Sequence, residues 1–185
     1  MTSEILLDVI KKTVAVCRKL RIKVAFMGGI ASSVYGRPRA TYDVDGMVMV
    51  GEKRMNEFLA ALSKAGFKFD KRKPIKSISG MPFLTLIYPK FKTYVDLFLA
   101  VSPFQKEILR RKRKIKLGST QISLVSAEDL ILLKFLSGRE RDLEDAREIL
   151  VENKERINVG YLEKWAKRLE IDVYLKDELE SLGWE

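Results

Sequence analysis

The sequence predicts an α+β fold: a sheet domain in which strands and helices mix, followed by a segment built from helices alone. Three observations carry this. Short runs rich in valine, isoleucine, leucine and phenylalanine recur between residues 21 and 125, and most are closed by glycine or proline. Between them lie stretches whose apolar residues recur every three or four positions. From residue 126 only the helical spacing remains. The expected organisation is therefore a core at 1–125, including an N-terminal helix, with a helical segment at 126–185 packed on it.

The elements follow in order. Ser3 can cap a helix running to about Leu20, with Ile5, Leu6, Val9, Ile10, Val14 and Cys17 on its apolar side. Arg21–Met27 reads as a strand ended by Gly28 and Gly29, and "IASSVYG" as a short helix ended at Gly36. "DVDGMVMV" is a valine-rich strand, Gly51 ends it, and a helix follows with Gly66 at its C-terminal side. "FKFDKRKPIKSISG" reads as a short strand and then an exposed basic connection. "MPFLTLIYP" and "KTYVDLFLAV" form a hairpin across Pro89 and Lys90, with Pro82 suited to a strand start. "SPFQKEILRRKRK" is a helix ending in cations, where the helix dipole favours them. A second hairpin turns at Gly118 and Ser119. Ser126 caps the next helix, with Glu128 and Asp129 in its first turn, and three more helices complete the chain.

Composition narrows the chemistry. Hydrophobic residues at 46% and charged ones at 32% over 185 residues favour a folded, water-exposed domain over disorder. No apolar run is long enough to cross a bilayer. The N-terminal stretch carries Glu4 and Asp8 and reads as an amphipathic helix rather than a signal peptide, so a cytoplasmic location is expected. The chain has no histidine and a single cysteine, Cys17. That removes serine–histidine and cysteine–histidine catalysis, zinc knuckles and any intrachain disulfide. Carboxylates, lysines, arginines and hydroxyls remain, and a hard cation held by oxygen is the cofactor that suits them.

The net charge of +10 is uneven: residues 51–120 carry +12 and residues 121–185 carry −6. A basic middle section fits a polyanionic partner, or a lysine-rich solvated surface. The clusters "KRKPIK" (Lys71–Lys76) and "LRRKRKIK" (Leu109–Lys116) read either as a track for phosphates or as a loop and a helix end in water. Little aromatic interleaving accompanies them.

The chemistry concentrates in "GGIASSVYGRPRATYDVD", Gly28 to Asp45. Side chains on a strand alternate faces, so Asp43 and Asp45 point the same way. Adjacent carboxylates repel, and a divalent cation between them removes the conflict; Mg²⁺ accepts few carboxylates and completes its shell with waters and phosphate oxygens. Asp96 is a lone charge in an otherwise apolar strand and is the candidate third ligand. A strand ending in Gly28-Gly29 and opening a helix offers backbone N–H groups to a phosphate. Ser32 or Ser33 can add a hydroxyl, and Arg37 and Arg39 lie between the two halves. Taken singly, a glycine pair marks a turn, Asp-x-Asp is common on surfaces, and Asp96 could pair with a lysine.

In this order the motifs resemble the signature of the DNA polymerase beta-like nucleotidyltransferase superfamily. With the later "SAEDLILLKFLSGRERDLEDA", they are similar to the AbiEii-type and minimal nucleotidyltransferases of bacteria and archaea, some associated with toxin–antitoxin systems. The resemblance spans roughly Val24 to Leu150. It implies the mixed-sheet nucleotidyltransferase fold and transfer of a nucleoside monophosphate from a triphosphate such as ATP to an acceptor hydroxyl of RNA, protein or a small molecule. It implies two Mg²⁺ ions, with Mn²⁺ as a substitute, on Asp43, Asp45 and Asp96, which are also the catalytic set. The triphosphate falls to Gly28, Gly29, a following serine (Ser32 or Ser33) and Arg39. Lys134 and Asp142 join it by the same resemblance, against the alternatives of a snorkelling lysine and a first-turn aspartate. Gly46 departs from the family pattern, where an apolar residue is usual; it loosens the strand or admits a base.

Two other classes stand beside this one: an antitoxin-like or regulatory partner-binding protein on the same fold, and a nucleic-acid-binding module without catalysis. The acceptor, with tRNA or a partner protein among the options, and the oligomeric state are not encoded in these motifs.

Overall fold

The computed structural model describes residues 2–78, 80–118 and 120–184, apart from the side chains of residues 2 and 3. The cap expected from the Ser3 side chain and the turn residue Ser119 lie outside what is described. The chain resolves into two compact units: Met1–Ile30 with Ala40–Val125, and Ala31–Arg39 with Ser126–Glu185.

The first unit is a mixed seven-stranded sheet with helices. Its elements are α1 (Thr2–Lys19), β1 (Lys23–Met27), the start of α2 (Gly28–Tyr35), β2 (Val44–Met49), α3 (Glu52–Lys64), β3 (Ile75–Ile78), β4 (Met81–Tyr88), β5 (Thr93–Leu99), α4 (Pro103–Arg111), β6 (Arg113–Leu117) and β7 (Thr120–Leu124). The strand order is β3-β4-β5-β2-β1-β7-β6. β2 runs parallel to β5 and antiparallel to β1, while β1 runs parallel to β7.

Period-two alternation sets the two faces. Val44 and Val48 of β2, Val95 and Leu97 of β5, and Leu84 and Leu86 of β4 are fully buried on one face. Asp45, Asp96 and Thr85 occupy the other, and all three are only half-buried. Helix α1 packs on β1, β2 and α3. It buries Leu6, Val9, Ile10, Val16, Cys17 and Leu20. Thr13 joins that face because its hydroxyl donates to the Val9 carbonyl at 2.9 Å, so no polar atom is stranded; Ile5 and Val14 are half-buried. Burial pushes the Cys17 thiol up to about 12, against a small opposite pull from the Lys112 ammonium.

One strand lies elsewhere than expected. The segment after Phe67 makes a single bridge, Lys68 to Ile87, closed by hydrogen bonds of 2.9 and 2.8 Å. The Asp70 carboxylate then accepts from the backbone N–H groups of Arg72 and Lys73 and turns the chain. The seventh strand is β3, within the stretch read as a basic connection. It forms because four residues pair in register with β4, although all four are exposed. Helix α4 starts in a full capping box: Ser102 accepts from the Gln105 N–H and the Gln105 side chain accepts from the Ser102 N–H.

The second unit holds the later part of α2 and α5 (Ala127–Ser137), α6 (Glu140–Glu152), α7 (Val159–Arg168) and α8 (Asp172–Ser181). α5 is buried over most of its length, Glu128, Asp129 and Lys134 included, and is capped by Ser126 at one end and by left-handed Gly138 at the other. Asp129 is completely buried, and its carboxylate accepts from Ser126 Oγ at 2.8 Å and from Tyr161 Oη on α7 at 2.5 Å. Among the described residues no helix is long and apolar enough to cross a membrane.

Candidate active site

In the first unit, β1 ends at Met27 and the chain turns through Gly28, whose φ is +59°. That conformation suits glycine, but space is the stronger demand. A Cβ on Gly28 would sit 2.0 Å from Asp45 Oδ2, and one on Gly29 would sit 2.6 Å from Thr41 Oγ1. The glycine pair therefore lets the Asp45 carboxylate and the Thr41 side chain lie directly on the backbone that opens α2. Thr41, which sequence reasoning passed over, also donates to the Asp43 carbonyl at 3.3 Å and shapes the approach to β2.

Asp45 and Asp96 are in-register partners on parallel strands, on the same face of the sheet. Their backbones are thus one strand spacing apart, about 4.8 Å. Asp96 Oδ1 is buried and has no hydrogen-bond partner. An orphaned carboxylate oxygen beside a second carboxylate is costly to fold and is what a missing cation would satisfy. Asp43 stands one residue ahead of β2 and is exposed. Among the described residues no three carboxylates are gathered closely enough to grip an ion as they stand. The donor set suits a hard cation in kind and in the Asp45–Asp96 pairing, with Asp43 exposed one residue ahead of β2. Gly46 faces the buried side, where a Cβ would lie 3.2 Å from Leu97 Cδ2; the leucine fills the space that a base would need.

In the second unit the polar residues form a closed network centred on Asp145, a residue sequence reasoning did not assign. Its carboxylate accepts from Ser32 Oγ (3.2 Å), Arg39 Nε (3.1 Å), Arg39 Nη2 (2.8 Å) and Lys134 Nζ (2.6 Å). Lys134 also donates to Asp142 at 2.9 Å, and Asp142 accepts from Ser137 Oγ at 2.6 Å. Ser33 Oγ donates to the Arg39 carbonyl and accepts from the Arg39 N–H, fixing the loop that carries the arginine. Lys134 is 4% exposed, so it is a buried, paired ammonium and does not snorkel. Burial pushes the carboxyls of Asp142 and Asp145 up. Hydrogen bonds from Ser137 and Lys134 on the first, and from Arg39 and Lys134 on the second, outweigh it and hold both below the ordinary carboxylate range. Arg37 is exposed, 4.0 Å from Glu148, a pair worth little.

The fold has known counterparts. The family model described as "Nucleotidyl transferase of unknown function (DUF2204)" matches residues 9–181. No curated protein matches the chain by sequence. Among solved structures, the chain is similar to ANT(2'')-Ia in complex with adenylyl-2''-tobramycin, at TM-score 0.59 and 14% identity over 88% of this chain and 95% of that one. TM1012 of Thermotoga maritima, a candidate nucleotidyltransferase, aligns at TM-score 0.56 and 18% identity over 82% and 96% of the two chains. An antigenic nucleotidyltransferase-like protein of Paracoccidioides brasiliensis aligns at TM-score 0.51 and 20% identity over 97% and 94%. At these identities the likeness establishes the mixed-sheet fold.

Proposed function

We propose that this chain, which belongs to the DUF2204 family of nucleotidyl transferases, moves a nucleoside monophosphate from a nucleoside triphosphate to an acceptor hydroxyl and releases pyrophosphate. The observation that carries the site assignment is the unpartnered Oδ1 of Asp96 beside its in-register neighbour Asp45. Asp43, Asp45 and Asp96 would hold Mg²⁺, two ions in the full site, with Mn²⁺ able to replace it. Such ions supply charge for the oxygens around the α-phosphorus.

The protein's own groups do the rest. The N–H groups at the start of α2, at Gly28 and Gly29, suit phosphate oxygens, which the helix N-terminus attracts. The Asp96 carboxylate, through the oxygen that the cation does not take, accepts the proton from the attacking hydroxyl. The acceptor oxygen bonds to the α-phosphorus as the bond to the bridging oxygen breaks. Ser32, Ser33, Arg39, Lys134 and Asp142 are the second unit's nucleotide-binding candidates. Arg39 has N–H groups beyond the two on Asp145, and Lys134 has a third N–H beyond its two bonds, so each can meet a phosphate without giving up its carboxylates.

The test is to incubate the protein with each labelled triphosphate, Mg²⁺ and total cellular RNA or protein. Label should enter one acceptor class in a metal-dependent way and disappear in Asp43→Asn/Asp45→Asn. Undiminished labelling by that variant overturns the site.

A further inference from the structure

The fold brings together aromatic and basic residues that the sequence keeps apart, beside the orphaned carboxylate. Phe98 follows Asp96 by two residues on β5, so both occupy the same face, about 6.8 Å apart along the strand. Phe83 of β4 is the in-register partner of Phe98, and the two rings stack at 5.2 Å and 22°. Lys76 of β3 is in turn the partner of Phe83 and lies on that face, exposed. Lys71, Arg72 and Lys73, all exposed, lead the chain towards β3. Thr85 of β4, half-buried, is the in-register partner of Asp96 and lies on the same face two residues from Phe83. The rings are half-buried, and β3 leaves this end of the sheet uncovered on both faces.

We propose that this strip, Lys76–Phe83–Phe98 with Thr85 and Asp96, seats the 3′ end of single-stranded RNA as the nucleotidyl acceptor. Aromatic rings flanked by cations are the general device for holding unpaired bases and their phosphates. The charge complement is local: residues 51–120, which include every residue of the strip, carry +12. The Thr85 hydroxyl is the group placed for a ribose 2′-hydroxyl, which favours RNA over DNA. This rests on the transfer reading above: the terminal 3′-oxygen bonds to the α-phosphorus, the bond to the bridging oxygen breaks, pyrophosphate leaves, and the hydroxyl proton passes to the Asp96 carboxylate oxygen that the cation does not take.

The test separates the two claims. Fluorescence anisotropy with a 5′-labelled 12-nucleotide RNA, in EDTA and without triphosphate, reads the strip alone; calorimetry with ATP and Mg²⁺ reads the nucleotide site alone. Phe83→Leu and Phe98→Leu keep apolar bulk and remove the ring, so the fold survives. Each should weaken RNA binding by at least about 5-fold, and Phe→Tyr should restore it. Lys76→Ala should reduce the salt slope by about 0.7. Thr85→Val should lower affinity for RNA and leave that for DNA of the same sequence unchanged. The proposal is overturned if the leucine variants bind as the parent does, if the parent holds DNA as tightly as RNA, or if RNA does not bind while ATP does. RNA binding without ATP binding leaves the strip standing and overturns the transfer reading.

Discussion

Gly28→Ala probes the glycine position with the least room for a side chain among the described residues. Two costs add. A left-handed backbone at φ +59° penalises any Cβ by about 1–2 kcal/mol. The new carbon would also stand 2.0 Å from Asp45 Oδ2, 2.8 Å from its Cγ and 2.9 Å from its Cβ, so the whole side chain must shift, at a further 1–3 kcal/mol or so. A double-mutant cycle separates them. In an Asp45→Gly background the three atoms are gone, and Gly28→Ala should cost only the backbone strain of about 1–2 kcal/mol. Urea unfolding of the four proteins should therefore give a coupling energy of roughly 1–3 kcal/mol. A coupling below about 0.5 kcal/mol means that the two sites are independent, and the account of why this position is glycine fails.

Three further outcomes follow from the charged groups. Asp96→Asn should leave thermal stability unchanged or raise it, by about 1–3 kcal/mol at most, because it relieves an unsatisfied buried carboxylate; calorimetry of the same variant should show the metal-dependent triphosphate binding lost. Lys134→Met should destabilise by about 3 kcal/mol, the low end for a broken buried pair, since Asp145 keeps Arg39 and Ser32 and Asp142 keeps Ser137. Asp142 and Asp145 are held below the ordinary carboxylate value in the folded state, so their contribution is complete above about pH 4 and is lost as pH falls further. Thermal melts from pH 7 to 2 should fall less steeply below pH 4 in Asp145→Asn than in the parent; parallel curves would count against the network.

What could be read from the chain depended on whether the cause was local. Ser126 was legible as the cap of α5 because caps act within one turn; Gly138 at its far end and the Ser102–Gln105 box of α4 are as local but were not singled out. β3 was invisible for the opposite reason. All four of its side chains are exposed, so no alternation of burial marks it, and it exists through its ladder with β4. Asp96 stands out as a lone charge in an apolar strand, whereas its register with Asp45 is a product of the sheet. Asp145 is one acid among several in "RERDLEDARE", and its importance comes from Arg39 and Ser32, 106 and 113 residues away. The glycine pair was read as room for a phosphate; the structure adds two protein side chains pressed onto the same backbone.

The interleaving of the two units along the chain has a consequence for how this protein can be divided. The boundary falls inside α2 after Ile30, returns after Arg39 and falls again after Val125, so the polypeptide passes between the units three times. A cut at residue 125 would carry Ser32 and Arg39 away with the wrong fragment, leaving Asp145 with Lys134 alone of its three partners. Such a molecule cannot be assembled from, or swapped as, two consecutive cassettes. A helical segment borrowed from another protein would have to bring its own version of nine residues that lie almost ninety positions upstream.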